Sequence, residues 1–179
     1  MRWIGIAVAA LAAIVLIVVV VGALLPKGHV ASRRVRLSAP PDRVFAIISD
    51  VGATASWRKD ITRVEMLPVE DGKTVFREQG GHDAITYRVE ALDPPRRMQV
   101  RIADTGLPFG GTWTYELAPH GSGGTELTIT ERGEVYNPVF RFMSRFVFSH
   151  YATIDGYLRA LGAKLGEAEP VSPESVTAS

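Results

Sequence analysis

Between Asn137 and about Gly166, apolar residues return at steps of three and four: Phe140, Met143, Val147, Tyr151, Ile154, Leu158, Leu161 and Leu165. Arg141, Arg145, Asp155 and Arg159 fall on the opposite side, so the pattern predicts one long amphipathic helix with a broad apolar face. Asn137 followed by Pro138 supplies its start, because an asparagine side chain accepts from free backbone amides and proline is tolerated in the first turn. Upstream the period changes to two. Val35 and Leu37 alternate with Arg34 and Arg36, and Ile85, Tyr87, Val89 and Ala91 alternate with Thr86, Arg88 and Glu90. Met98, Val100 and Ile102, then Trp113, Tyr115 and Leu117, then Leu127 and Ile129 continue the alternation, and Asp71 with Gly72 marks a hairpin between Ile61–Val69 and Lys73–Gln79. Pro41, Asp42 and Arg43 open a short helix carrying Val44, Phe45, Ile47 and Ile48. Half-buried strands and one long helix each need a cover, and each covers the other. The expected fold is α+β, a curved antiparallel sheet wrapped around the long C-terminal helix.

A third pattern has no period at all. From Trp3 to Leu25 no residue is charged, and 23 residues span roughly 35 Å as a helix against roughly 30 Å of bilayer hydrocarbon. A cleaved signal peptide is the competing reading, but signal cores usually run to only about 7–15 residues, so a single-pass membrane anchor is expected over residues 1–25. Residues 26–31 read as a short linker, 32–166 as the folded domain, and 167–179, rich in Glu, Pro, Ser and Thr, as a disordered tail. Arg2 stands on one side of the anchor and Lys27, Arg33, Arg34 and Arg36 on the other, a count that places the domain in the cytoplasm. Three of those arginines can belong to a strand, which weakens the bias.

Charge then narrows the partners. Of 20 Lys and Arg residues one precedes residue 26, leaving 19 basic against 19 acidic residues in the remainder. A neutral domain with interspersed signs lacks the basic footprint of a nucleic-acid binder, so no nucleic acid is expected. The chain has no cysteine, which excludes disulfides, thiolate metal sites and a cysteine nucleophile.

The candidate chemistry is sparse. His29, His82, His120 and His150 are scattered without a paired ligand spacing, so no metal and no cofactor are expected. Gly121-Ser122-Gly123-Gly124 reads as a hairpin loop. Continuing the alternation of Leu127 and Ile129 by two places puts Glu131 inward, as a cavity acid or base or as a solvated rim residue. His150 falls on the apolar side of the long helix, a second acid/base candidate or a hydrogen-bonded structural histidine. Tyr87, Trp113 and Tyr115 point with the buried face, Trp57 lies beside Arg58 in an irregular turn, and Phe148 falls on the polar side of the helix. Three glycines with Leu107 and Phe109 make the stretch from Thr105 to Gly111 a candidate gate, or an ordinary connection packed on the core.

The run Ala39-Pro40-Pro41-Asp42-Arg43-Val44-Phe45, Trp57-Arg58 after the short helix, the antiparallel strands and the long C-terminal helix together resemble the SRPBCC superfamily over about residues 30–166. Its polyketide cyclase/dehydrase-like and START or Bet v 1-like members share this order. The resemblance implies a helix-grip fold with a cavity between helix and sheet for sterols, lipids, polyketides or other hydrophobic molecules. Trp57, Tyr87, Phe109, Trp113, Tyr115, Met143, Val147 and His150 are then the expected ligand-binding residues. Fold does not fix function. The first expectation is a membrane-tethered domain that binds a hydrophobic small molecule or lipid. The alternatives are a cyclase, dehydratase or hydrolase using Glu131 or His150 with Tyr87 or Tyr115 orienting a carbonyl, and a protein-interaction module docking around Phe148.

Overall fold

The computed structural model describes residues 2–81, 83–147, 149, 151–168 and 171–176. Helix α1 (Arg2–Leu24) leads directly into strand β1 (Gly28–Leu37), then helix α2 (Pro41–Ser49) and a 3-10 turn (Val51–Ser56). Strands β2 (Arg63–Glu70), β3 (Lys73–Gly80), β4 (Asp83–Asp93), β5 (Arg97–Ile102), β6 (Phe109–His120) and β7 (Gly124–Val135) follow, then helices α3 (Pro138–Phe146) and α4 (Ala152–Leu165) and the two-residue strand β8 (Glu174–Ser175). One antiparallel sheet runs in the order β2-β3-β4-β5-β6-β7-β1-β8. The Asp71-Gly72 hairpin is present, both residues with positive φ as a tight two-residue turn requires.

Helix α4 lies in the sheet's grip. Ile154, Leu158 and Leu161 are fully buried on it, against Leu127, Ile129, Met98 and Val44 in the core. Gly166, in the left-handed conformation, ends the helix.

The single helix expected from Asn137 to Gly166 is broken. Asn137 caps α3 as anticipated, accepting from the amides of Val139 and Phe140, but the helix stops at Phe146. Ser149 then accepts from the Tyr151 amide through its hydroxyl and from the Ala152 amide through its carbonyl, a local turn that replaces continuous helix. The two pieces have different surroundings, α4 in the core and α3 against the end of α1.

Contact between α1 and α3 is close. A Cβ at Gly22 would fall 1.9 Å from the Pro138 carbonyl oxygen, so glycine is required for the approach. Arg141, expected on an exposed face, is instead buried and donates to the carbonyls of Leu25 (3.1 Å), Ala23 (3.4 Å) and Tyr136 (3.1 Å). A cation on the last free carbonyls of a helix also suits the negative end of its dipole. Otherwise α1 is exposed along its length and is long and apolar enough to cross a bilayer.

Two boundaries move. Strand β1 begins at Gly28, inside the expected linker, because His29 to Ala31 pair with Glu131 to Gly133 of β7. Within the segment read as a disordered tail, β8 pairs with β1 at Arg33 and Arg34, and Val171 covers Gly162 of α4.

Candidate functional site

Two neighbouring spaces lie against the concave sheet, the inner one under α4 and the outer one under α3 and the turn that leads to α4. The inner pocket, about 60 Å³, is walled by Phe76, Met98, Val100 and Ile48, with Arg58, Glu78, Tyr87, Tyr115 and Tyr157 among its polar groups. The outer chamber, about 350 Å³, is lined by Ile85, Ile102, Phe109, Val135, Phe140 and the pair His29 and Glu131. Tyr87, Trp113 and Thr153 border both.

The inner pocket is built on a buried ion pair. Arg58 follows the 3-10 turn, and its side chain, 11% exposed, donates to Glu78 at 3.2 Å and to both oxygens of Asp60. Glu78 reaches inward because it is two places beyond the core residue Phe76 on β3, the spacing that keeps a side chain on one face of a strand. Burial pushes its carboxyl above the ordinary glutamate range, against the pull of the Arg58 charge. Burial also opposes the charge on Arg58, but the hydrogen bond to Asp60 and the charges of Glu78 and Asp60 outweigh it and hold the guanidinium protonated. The Arg58 hydrogen bond lowers the pKa of Asp60.

Three tyrosines complete the lining. Tyr157 of α4 meets Tyr115 at 5.4 Å between ring centroids, Trp57 edge-on at 5.3 Å and Trp113 at 6.4 Å, while Tyr87 stacks on Phe76 at 5.4 Å. Burial raises the pKa of all three hydroxyls, so they remain neutral donors at physiological pH. A fixed cation, a carboxylate and three hydroxyls set in an apolar wall can receive the polar end of an otherwise hydrophobic molecule.

In the outer chamber Glu131 lies inward, as its alternation predicts, with an oxygen 3.5 Å from His29 Nε2. Gly133 permits this contact, since a Cβ there would fall 2.2 Å from the His29 ring. Phe109 lines the same chamber, but it, Gly110 and Gly111 belong to β6 rather than to a loop, paired with Val135, Glu134 and Gly133. The connection that remains for a gate is residues 103–108.

The other expected residues divide. Tyr87, Trp113 and Tyr115 line the spaces. Trp57 lies behind Tyr157, packed on the core, and borders neither. Met143 and Val147 belong to the α3 segment, Val147 is 58% exposed, and neither lines the spaces. Both depart from the expectation because the helix breaks after Phe146 and α3 turns Phe140 and Ser144, rather than Met143, toward the chamber. His150 and Phe148 lie outside the described residues.

Sequence reading passed over Arg58, Glu78 and Tyr157. Glu78 carried the same signal as Glu131, an inward place two residues beyond a core position. Arg58 and Tyr157 carried none, because a turn arginine and one more apolar-face aromatic look like surface and core.

The family profile described as polyketide cyclase/dehydrase and lipid transport matches residues 29–164. No curated protein matches the chain. Among solved structures, the Zhui aromatase/cyclase of Streptomyces sp. R1128 is 18% identical with a TM-score of 0.64, over 78% of this chain and 94% of that one. A START superfamily protein of Mycobacterium smegmatis is 17% identical with a TM-score of 0.61, over 79% and 99% of the two chains. Norcoclaurine synthase of Thalictrum flavum is 12% identical with a TM-score of 0.62, over 80% and 98%. At such identities the likeness is one of fold.

Proposed function

Because this chain belongs to the polyketide cyclase/dehydrase and lipid transport family of the SRPBCC, START-like superfamily, we propose that it is a membrane-anchored domain that holds one hydrophobic molecule or lipid by a polar end. The observation that carries this reading is the adjacency of the two spaces, which share Tyr87, Trp113 and Thr153 and set a small pocket holding Arg58 and Glu78 beside a larger chamber. The polar end meets Arg58, Glu78 and the tyrosine hydroxyls, and the apolar body lies among Ile85, Ile102, Phe109 and Val135. Helix α1 anchors the domain, and only Leu25 to Lys27 separate it from β1.

Delipidated full chain in detergent is expected to take up a fluorescent sterol or fatty acid with saturable, one-site behaviour. Phe109→Ser opens the chamber wall and should speed ligand exchange several-fold while costing less global stability than a fully buried core truncation, since Phe109 is half-buried. Unsaturable uptake, or unchanged exchange with a large loss of stability, would contradict the reading.

A second reading has one observation in its favour: Glu78, with its raised carboxyl pKa, faces the pocket beside Tyr87 and is suited to general acid/base work. It moves the enzyme alternative from Glu131 to Glu78. Glu78→Gln should then abolish turnover of a bound ligand, followed by mass spectrometry, while weakening its uptake far less.

A further inference from the structure

Helix α3 is turned inside out. Its polar side, Arg141 and Ser144, meets the protein, while Val139 (41% exposed), Phe146 (60%) and Val147 at its end (58%) face outward and Phe140 (50%) borders the outer chamber. A solvent-facing helix normally has the reverse arrangement. The helix itself packs on the last turn of α1 through Pro138 and Arg141, at the level where the chain leaves its long apolar helix.

At the same junction is a crevice of about 500 Å³ between Leu25–Val30, Val135 and α3. Lys27, Arg141, Arg145 and His29 line it, and among the described residues no Asp or Glu does. His29 is held against Glu131, which lines the neighbouring chamber. Arg141 is 7% exposed, spends its terminal nitrogens on backbone carbonyls, and leaves its buried Nε without a partner. A buried guanidinium with an unused donor is costly unless an acceptor comes to it.

We propose that this crevice is a site for the phosphate-bearing headgroup of an anionic phospholipid, whose acyl chains lie along α1 and the outward face of α3. The proposal rests on α1 crossing the membrane; the crevice borders the outer chamber at His29, Val135 and Ser144, but Lys27, Arg141 and Arg145 line the crevice alone. The phosphate meets the Arg141 guanidinium where it lines the crevice, with Lys27 and Arg145 balancing its charge. The apolar face of α3 is then covered by lipid, and the domain is fixed against the bilayer instead of swinging from it.

The test uses the full chain reconstituted in phosphatidylcholine bilayers with trace spin-labelled phosphatidylglycerol or phosphatidylcholine, reading the motionally restricted fraction by electron paramagnetic resonance. The anionic label should be preferred, and each of Lys27→Gln and Arg145→Gln should reduce that preference by about fivefold, the usual effect of one cation at a membrane surface. Both side chains lie outside the core, so folding is not at stake. Equal restriction of the two labels, or a preference that survives both substitutions, overturns the site. Displacement by millimolar inorganic phosphate or glycerol phosphate assigns the crevice to free phosphate and overturns the lipid. Sterol uptake by Lys27→Gln and Arg145→Gln should be unchanged, because these side chains line the crevice and neither the inner pocket nor the outer chamber, so failure of one reading is distinguishable from failure of the other.

Discussion

Replacing Arg58 with methionine is expected to destabilise the domain by about 3–5 kcal/mol, the usual cost of leaving one member of a buried ion pair alone. Glu78 would keep its burial and lose its main counter-charge, with neutral tyrosine hydroxyls in the pocket and the like charge of Asp60 as its remaining surroundings. Urea unfolding of the full chain in mild detergent, followed by tryptophan fluorescence, measures the loss. The pH dependence has a definite sign. Glu78 has a folded-state pKa above its unfolded value, so its contribution favours folding at acid pH and is lost as pH rises through the folded pKa. Asp60 has the opposite sign, since its lowered pKa contributes stability that is lost as pH falls. Without Arg58 the Glu78 effect should grow and the Asp60 effect vanish, so the variant should become steadily less stable between the ordinary glutamate range and neutrality. The double variant Arg58→Met with Glu78→Leu should recover most of the loss, because an apolar pair of similar volume replaces the ions. Recovery of stability without recovery of ligand uptake would identify the pair as a functional feature of the pocket.

Leu158→Ala is expected to cost about 2–5 kcal/mol and Phe146→Ala well under 1 kcal/mol, although both residues occupy apolar positions between Asn137 and Gly166. Leu158 is fully buried on α4, and truncating it leaves a cavity against the sheet. Phe146 is 60% exposed and touches Phe142 of its own helix at 4.9 Å between centroids. The same urea titration compares them. Similar large losses would restore one continuous helix in the core.

That contrast explains what was legible in the chain. Period-two alternation placed Tyr87, Trp113 and Tyr115 on the concave face, and the same count put Glu131 inward, because strand geometry leaves little choice of face. Period 3.6 is less informative. It says that Met143 and Ile154 each belong to an apolar stripe, but not that the stripes cover different things, bilayer-facing surface for α3 on the present proposal and core for α4. Arg141 looked like solvent-facing charge because its partners, the carbonyls of Ala23 and Leu25, are more than a hundred residues away. Arg58 was hidden for the same reason, since a turn residue advertises neither its burial nor the carboxylate on β3 that it meets.

One ligand lying against the sheet beneath α3 and α4 would be seen by methyl-resolved NMR of the full chain in nanodiscs during titration with a sterol or fatty acid. The largest shifts should fall on Met98, Ile85, Ile102 and Val135, which line the inner pocket and outer chamber, and should saturate at one equivalent. Shifts confined to Val139 and Val147 on α3, growing without saturation, would mean that the ligand only partitions onto an exposed apolar surface, and would contradict the account.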